Sequence, residues 1–449
     1  MLLKNFRLFF YGWWIVLATF ITLFVATGFL FYSYGVFLEP IQEEFGASRF
    51  AVALGLTLMN IAMGVASPFL GRFIDTWSIR RIMMLGCLSL GIGFILASRI
   101  TALWQFYVLI GTFLAFGVSS VGQLSSTALV SNWFVRRRGA ALGIATTGVS
   151  MSGMVMAPVT SYFVVNYGWR NTFLIFGALS IAALLPFVWV FVIGRPEDIG
   201  LHPDGSPSPP PNPTFSESSL QPKSGIDPLR FSTARTLANR TFWAITLCIG
   251  LIFFAMAATL IHMIEHARDL GITRIQASYI LTVSAGIGVI GKVLFGFVAD
   301  YVDARLALLL CLAFTTVATL LFLPADSYNE LMIAAAIYGF GMGGVVPLWG
   351  SLVGDYFPRP VFGRVMGLMT PCMLPVQATG VPVAGLIHDA TGSYHVAFIA
   401  FIVAYSLAAG CLLLVQNPVS GPVYERRQAL LRSAIPVSDP AATPNVCQK

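Results

Sequence analysis

Charged residues are scarce in this chain: they occupy 10% of its 449 positions, whereas apolar residues occupy 57%. A soluble globular protein carries roughly 25% charged residues, so this composition excludes a water-soluble fold. A hydrocarbon core about 30 Å thick needs roughly 20 apolar residues per helix, and the chain supplies such runs repeatedly. Helices are expected because backbone polar groups in lipid must be satisfied internally. The composition therefore predicts an all-α membrane protein.

Sequence motifs for several other classes of protein are also missing. The six cysteines show no C-x-x-C spacing, which argues against a disulfide framework or a zinc site. No G-x-x-x-x-G-K-[ST] string is present, so ATP-driven pumping is unsupported. The absence of an H-E-x-x-H string argues against a membrane metalloenzyme. We therefore predict no cofactor, no metal and no enzymatic activity.

The net charge of +7 reflects membrane topology and not a nucleic-acid partner. Twelve spans are predicted near residues 12–38, 50–73, 81–98, 103–131, 139–166, 171–194, 242–265, 275–300, 305–324, 330–356, 363–388 and 395–416. Alternate loops then place 20 of the 26 Lys and Arg residues on one side and five on the other, with Lys292 inside a helix. This bias predicts that both termini are cytoplasmic in a bacterial inner membrane.

A repeat divides the chain into two halves. One motif occurs twice with an offset of 225 residues, as Gly71, Asp75 and Arg80 and again as Gly296, Asp300 and Arg305. A half-chain period predicts two six-helix bundles around a central cavity. The predicted boundaries are 1–194 for the first bundle, 195–240 for a cytoplasmic linker, 241–416 for the second bundle and 417–449 for a disordered tail. The Pro/Ser-rich stretch 205–213 is expected to be extended.

The repeated motif lies at the predicted cytoplasmic ends of helices two and eight. Each Asp is expected to accept hydrogen bonds from a neighbouring helix N-terminus and to pair with the downstream Arg, which would close the cytoplasmic side. These residues resemble the loop signature of the major facilitator superfamily. In the first copy, Thr76 and Ser78 replace the family's basic residue and its turn Gly.

A second string resembles a narrower family. Helix five begins with Trp133-Phe134, three arginines from Arg136 to Arg138, and small residues that include Gly143 and Gly148. It is similar to the entry signature of the monocarboxylate transporters and their bacterial relatives, including oxalate/formate antiporters. The resemblance covers nearly all twelve helices and implies the major facilitator fold. Arg136 is assigned to the gate, although phosphate anchoring would also explain these arginines.

Lys292 is the strongest single candidate for substrate binding. It precedes Asp300 by eight residues, about 12 Å into the membrane at the helical rise. A buried ammonium costs roughly 2.5–3.5 kcal/mol on insertion scales, so it normally faces a wet cavity and an anion. The family resemblance implies a carboxylate-binding Arg here and often an acidic residue one turn earlier, where this chain has Gly288. Snorkelling to the interface is the alternative.

The remaining candidates are polar or aromatic side chains within predicted spans. Tyr32 and His262 are expected to donate hydrogen bonds to a substrate carboxylate, with packing and interfacial roles as the alternatives. Other candidates for lining the cavity are Trp349, Gln377, Gln123 and Asn60.

The sequence therefore predicts a monomeric secondary transporter in the lipid bilayer, with no nucleic-acid partner. Its expected substrate is a small organic anion, a monocarboxylate or a short dicarboxylate, moved by rocking of the two halves. Gly288 leaves proton symport and anion exchange both open. The alternatives are an efflux carrier for hydrophobic drugs or metabolites and a ligand sensor that transports nothing.

Overall fold

The computed structural model describes residues 10–206 and 233–415, and helices dominate both ranges. The first range contains α1 (Gly12–Thr27), α2 (Tyr34–Phe45), α3 (Arg49–Thr76), α4 (Ile79–Ala97), α5 (Leu103–Leu109), α6 (Ala115–Val121), α7 (Gln123–Trp133), α8 (Arg138–Leu179) and α9 (Leu185–Phe191). The second contains α10 (Thr233–Leu237), α11 (Arg240–Asp269), α12 (Arg274–Tyr301), α13 (Ala304–Phe322), α14 (Tyr328–Tyr356), α15 (Phe362–Thr391) and α16 (His395–Leu413). We call α1–α9 the first half and α11–α16 the second half.

Local sequence signals explain where these helices begin and end. Thr273 and Gln276 form a reciprocal capping box at the start of α12, and Ser327 and Glu330 do the same for α14. Each box satisfies backbone N–H groups that a helix start leaves without partners. Gly392 ends α15 with a φ of 70°, a left-handed conformation that glycine adopts at little cost.

Short irregularities interrupt several of the long apolar segments. One wide π turn spans Gly28–Tyr32 between α1 and α2, and another spans Ile110–Leu114 between α5 and α6. Such turns are frequent at functional sites. Gly168, with φ 78° and ψ 160°, breaks the helical geometry inside α8.

Eleven helical segments of the described residues are long and apolar enough to span a membrane. One of them, Arg138–Phe191, has 54 residues, which would reach about 81 Å as a straight helix. That is nearly three times the thickness of a hydrocarbon core. The break at Gly168 falls between the predicted spans 139–166 and 171–194. It supports two crossings here, although the total of twelve stays a prediction.

The two halves meet mainly at one end of the bundle. We call the end that carries Asp75 and Asp300 the closed end, and the opposite end, which carries Gly46 and Gly271, the open end. Near the closed end, α8 packs on α12 and α3 packs on α15. Along α8, residues 138–143 are all buried, whereas Met154 is 59% exposed and Tyr162 is 61% exposed. The halves therefore separate from about the middle of α8 towards the open end.

Candidate functional site

Glycine-lined contacts bring the halves together near the closed end. A Cβ at Gly296 of α12 would lie 2.5 Å from the carbonyl oxygen of Gly139 in α8. On the other side, a Cβ at Gly71 of α3 would lie 2.2 Å from the carbonyl oxygen of Gly363 in α15. Real Cβ atoms essentially never approach backbone this closely, so only glycine permits either contact. We call these two contacts the α8–α12 seam and the α3–α15 seam.

We expect Gly296→Ala to reduce transport by more than about tenfold, because the added methyl group would force the backbones of the α8–α12 seam apart. Gly286→Ala is the matched control on the same helix, since nothing lies within 4 Å of a Cβ at Gly286. Initial uptake rates in proteoliposomes, normalised to reconstituted protein, give the comparison. Equal rates for the two variants would contradict a need for close contact at Gly296.

Asp75 and Asp300 each bind the N-terminus of a helix in the opposite half. Asp75 Oδ1 accepts from Gly363 N–H at 2.8 Å, and Oδ2 accepts from Arg364 N–H at 2.7 Å. Asp300 accepts from Gly139 N–H at 2.7 Å and from Ala140 N–H at 3.1 Å. Both carboxylates lie at the positive ends of helix dipoles. These bonds join α3 to α15 and α12 to α8 and so hold the closed end together.

The predicted ion pairs between these aspartates and the downstream arginines are absent from the part of the chain that the structure describes. Arg80 donates to the carbonyl oxygen of Trp189. Arg305 instead pairs with Asp303 at 2.7 Å and donates to the carbonyl oxygen of Val415. Both arginines thus bind within their own half, because the helix N-termini across the interface already satisfy the aspartates.

Arg138 and Asp355 form a buried ion pair that the sequence did not single out. Arg138 Nη1 lies 3.2 Å from Asp355 Oδ1, with residue exposures of 2% and 7%. The pair connects α8 of the first half to α14 of the second half. Arg136, the predicted gate residue, is exposed and donates its backbone N–H to Asp204 at 2.9 Å. Because α8 begins at Arg138, Arg138 is buried in the interface, whereas Arg136 precedes the helix and is exposed.

Asp204 and Glu197 belong to the stretch predicted as a linker. Asp204 accepts hydrogen bonds from the backbone N–H groups of residues 135, 136 and 137, just before α8 begins. Glu197 lies 3.4 Å from Arg359 of the second half. The described start of this stretch therefore packs on the closed end. Most of the predicted extended segment, from residue 207 onward, lies outside the described residues.

Lys292 lies on the α8–α12 seam and is 8% exposed. Its ammonium group donates to the Thr146 carbonyl oxygen at 3.4 Å and to Ser150 Oγ, both on α8 of the opposite half. Among the described residues, no carboxylate lies within ion-pair distance of Lys292. The offset of 225 pairs Lys292 with Ser67, whose hydroxyl donates to the Gly367 carbonyl oxygen on the α3–α15 seam. At this matched position the α8–α12 seam therefore has a cation where the α3–α15 seam has a hydroxyl group.

Tyr32 packs on the face of α8 that Lys292 also contacts, one turn further towards the open end. A Cβ at Gly153 would be 2.8 Å from the Tyr32 ring, and Gly153 follows Ser150 by three residues. Residues three apart on a helix share a face. Tyr32 ends the π turn Gly28–Tyr32 and is 41% exposed. The Tyr32 ring therefore packs on α8 next to the turn that Lys292 contacts, where the halves begin to separate.

His262 does not join this group. It lies seven residues before the open end of α11, about 11 Å along the helix, whereas Lys292 lies 18 residues, about 27 Å, from the open end of α12. Its Nε2 is 3.1 Å from the Val381 carbonyl oxygen, and its ring centroid is 5.0 Å from that of Tyr394. These contacts lie within the second half, so we remove His262 from the Lys292 site.

The other predicted cavity residues occupy two places. Trp349 is 7% exposed, and its indole N–H has no hydrogen-bond partner in the described parts of the chain. Gln123 donates to Thr127 Oγ1 at 3.0 Å, and Thr127 touches Gly350, the neighbour of Trp349. Trp349 and Gln123 thus belong to two helices, α14 and α7, that meet across the interface at Gly350 and Thr127.

Asn60 and Gln377 lie near the α3–α15 seam and away from Lys292. Asn60 donates to the Leu56 carbonyl oxygen of its own helix at 2.8 Å. A Cβ at Gly64, one turn from Asn60, would lie 3.0 Å from Leu374, three residues before Gln377. Both side chains are half-buried.

Gly288 occupies the position where the family resemblance implies an acidic residue. A Cβ there would lie 3.2 Å from the Gly339 carbonyl oxygen on α14. Any side chain there would begin in a contact tighter than most real Cβ contacts. The packing of α12 on α14 thus agrees with glycine at this position.

Comparison with known proteins agrees with this architecture. The sequence profile of the Major Facilitator Superfamily matches residues 15–266 and 242–444. The chain belongs to the Major Facilitator Superfamily. It is therefore a multi-pass membrane transporter with a small-molecule substrate, and it is not an enzyme.

Individual relatives share much of its length. Monocarboxylate transporter 13 of Rattus norvegicus is 26% identical over 417 residues, which cover 91% of this chain and 89% of that protein. The uncharacterized transporter YcxA of Bacillus subtilis is 23% identical over 413 residues, with coverage of 88% and 93%. The Escherichia coli transporter FucP superposes with a TM-score of 0.68 at 13% identity, over 90% of this chain and 98% of FucP. The predicted major facilitator fold is confirmed.

Proposed function

We propose that this transporter carries a small organic anion, a monocarboxylate or a short dicarboxylate, that binds between the two halves at Lys292. The observation that carries the proposal is a buried ammonium at the interface with no carboxylate partner among the described residues. Desolvating a charge without a counter-ion is costly, so a substrate carboxylate would supply what the protein omits. The named monocarboxylate transporters among its relatives support the same substrate class.

In the proposed site, the carboxylate lies between the Lys292 ammonium and the Tyr32 hydroxyl. The ammonium neutralises the charge, and the phenol donates a hydrogen bond from the opposite half. An anion held by both halves would favour closure of the open end around it, because each half then contributes to its binding. Opening of the two seams at the other end would complete alternating access.

Sidedness is also part of the proposal. The closed end carries the basic loops, including Arg80, Arg136 and Arg359, and the positive-inside rule places such loops in the cytoplasm. We propose that the open end faces outwards and that the membrane is the bacterial inner membrane. An impermeant amine reagent applied to intact cells should leave an N-terminal tag unmodified. Labelling of that tag from outside would reverse the assignment.

The direct test is uptake of labelled pyruvate, lactate, formate and oxalate by proteoliposomes that contain the purified protein. Each acid is measured with and without an inward proton gradient, and with and without unlabelled acid inside. Stimulation by the gradient would indicate proton symport, whereas stimulation by internal acid would indicate exchange. Transport of neutral or cationic hydrophobic compounds, with none of the four acids carried, would instead support an efflux carrier.

We expect Tyr32→Phe to raise the KM for pyruvate about tenfold with little change in maximal rate, since a hydrogen bond to a charged group contributes roughly 1.5–3 kcal/mol. Tyr34→Phe is the matched control. The Tyr34 hydroxyl donates to the Val52 carbonyl oxygen at 2.6 Å inside the first half, so its loss should affect stability and not KM. The test is to measure pyruvate uptake by both variants over a range of concentrations. An unchanged KM in Tyr32→Phe would exclude Tyr32 from the site.

A further inference from the structure

Two oxygen atoms of the protein already accept hydrogen bonds from Lys292, as a substrate carboxylate would. The Thr146 carbonyl oxygen and Ser150 Oγ accept its hydrogen bonds, and they lie on adjacent turns of α8, four residues apart. Lys292 belongs to α12 of the second half, so these bonds cross the interface between the halves. They are the contacts nearest the open end among the hydrogen bonds that we describe on the α8–α12 seam.

The bonds formed by Lys292 continue a row of contacts that starts at the closed end. Asp300 binds the N-terminus of α8, Gly296 packs on Gly139, and a Cβ at Gly143 would lie 2.6 Å from the Lys292 carbonyl oxygen. The Lys292 ammonium then extends this row by about two further turns, to Ser150. At the matching position the α3–α15 seam has Ser67 instead of a cation, and its hydroxyl bonds to the carbonyl oxygens of Gly64 in its own helix and Gly367 across the seam.

We propose that Ser150 is an internal competitor of the substrate: in the empty carrier it holds the Lys292 ammonium and ties α12 to α8. This inference rests on the proposed carboxylate site. Ammonium has three donors and no acceptor, and Thr146 and Ser150 already accept from two of them. A carboxylate that takes two donors therefore displaces one of these acceptors, and the Ser150 hydroxyl can rotate away, whereas the Thr146 carbonyl oxygen is fixed in the helix backbone. Substrate binding therefore releases one connection between the halves at the same time as it neutralises the charge.

This competition has two consequences for transport. Part of the binding free energy is used to break the Lys292–Ser150 bond, so the substrate binds less tightly than it would to a free ammonium. The empty carrier is also held with its α8–α12 seam closed, because the bond joins the two halves across that seam. Reorientation should therefore be faster with substrate than without it, which favours exchange over net flux.

Ser150→Ala separates these effects from a simple loss of packing. Ser150 lies at the interface and is half-buried, so removal of one oxygen leaves the helices in place. Ser152→Ala is the matched control, because the same atom is removed two residues away. The Ser152 hydroxyl is 2.9 Å from Thr27 Oγ1 inside the first half. Ser150→Thr keeps a hydroxyl and should behave like the wild type.

The first measurement uses labelled pyruvate as the probe. We expect Ser150→Ala to bind pyruvate about tenfold more tightly in equilibrium dialysis, since one hydrogen bond to a charged group is removed from the empty state. Efflux from proteoliposomes into medium without pyruvate should become several-fold faster relative to exchange against external pyruvate. Unchanged affinity and an unchanged flux ratio would overturn the proposal. Weaker binding would also overturn it, since Ser150 would then be a substrate ligand.

The second measurement needs no substrate. Hydrogen–deuterium exchange of the empty full-length protein should be faster in Ser150→Ala at residues 138–148 and 292–300, because the seam opens more often. Ser152→Ala and Ser150→Thr should match the wild type there. If the wild type carries none of the four acids, the proposed function fails but this comparison still tests the tie. If exchange is equal in all four proteins, the tie is refuted whatever the substrate.

Discussion

Lys292→Gln should lower the initial rate of pyruvate uptake at subsaturating concentration by about 100-fold or more. Two unit charges 4 Å apart attract by about 4 kcal/mol at an effective dielectric constant of 20, and each 1.4 kcal/mol corresponds to a factor of ten. Glutamine keeps a hydrogen-bond donor of similar length but removes the charge. The loss should therefore appear chiefly as a raised KM, measured in proteoliposomes over a wide range of pyruvate concentrations.

Lys292→Arg supplies the matched control for this prediction. Arginine retains the charge and offers a planar fork that binds carboxylates in a bidentate manner. It should preserve uptake within about tenfold of the wild type, whereas glutamine should not. Wild-type uptake by Lys292→Gln would rule out the proposed site, and equal losses in both variants would indicate that the lysine acts through packing.

The fold was predictable because its causes are distributed along the whole chain. Scarce charge, repeated apolar runs and the duplicated motif at Gly71 and Gly296 all indicate two helical bundles in a membrane. Helix limits were less predictable where the irregularity has no polar or turn residues to mark it. The predicted spans 139–166 and 171–194 leave a gap at Gly168, where α8 breaks, whereas the π turn Gly28–Tyr32 lies inside the predicted span 12–38.

The candidate site was predictable only in part. Lys292 could be recognised because a cation inside an apolar helix is costly at any rotation of that helix. Its partners Thr146 and Ser150 could not, since residues 138–148 of α8 are buried on nearly every side. A helix with no exposed face has no polar stripe to indicate which residues meet α12.

The contacts of Asp75 and Asp300 at the closed end show the same difference between what nearby and what distant residues of the sequence reveal. The sequence predicted that Asp75 and Asp300 would bind helix N-termini, and the structure places Gly363 and Gly139 against them. The pairing of each aspartate with its downstream arginine was wrong, because the sequence did not show that Arg80 and Arg305 have other partners in their own halves. Contacts across the halves require their relative placement, which the repeat alone does not supply.

The ion pair between Arg138 and Asp355 leads to the second large prediction. Removing one partner of a buried pair costs about 3–5 kcal/mol, whereas replacing both by apolar residues is often neutral or stabilising. Arg138→Met leaves the Asp355 carboxylate buried at 7% exposure, and Asp355→Leu leaves the arginine equally isolated. Each single variant should destabilise the closed end and reduce pyruvate uptake by about 100-fold or more.

The double variant Arg138→Met/Asp355→Leu should recover uptake to within about tenfold of the wild type, because no isolated charge remains. Arg268→Met controls for the loss of any ion pair, since Arg268 and Glu265 are each 47% exposed in their side chains and pair within α11. Exposed pairs contribute at most about 1 kcal/mol, so this variant should transport nearly normally.

Hydrogen exchange at residues 138–143 should rise in both single variants and return towards the wild-type rate in the double variant. A double variant as inactive as the singles would mean that the charges themselves take part in transport, and that the pair is more than a lock between α8 and α14.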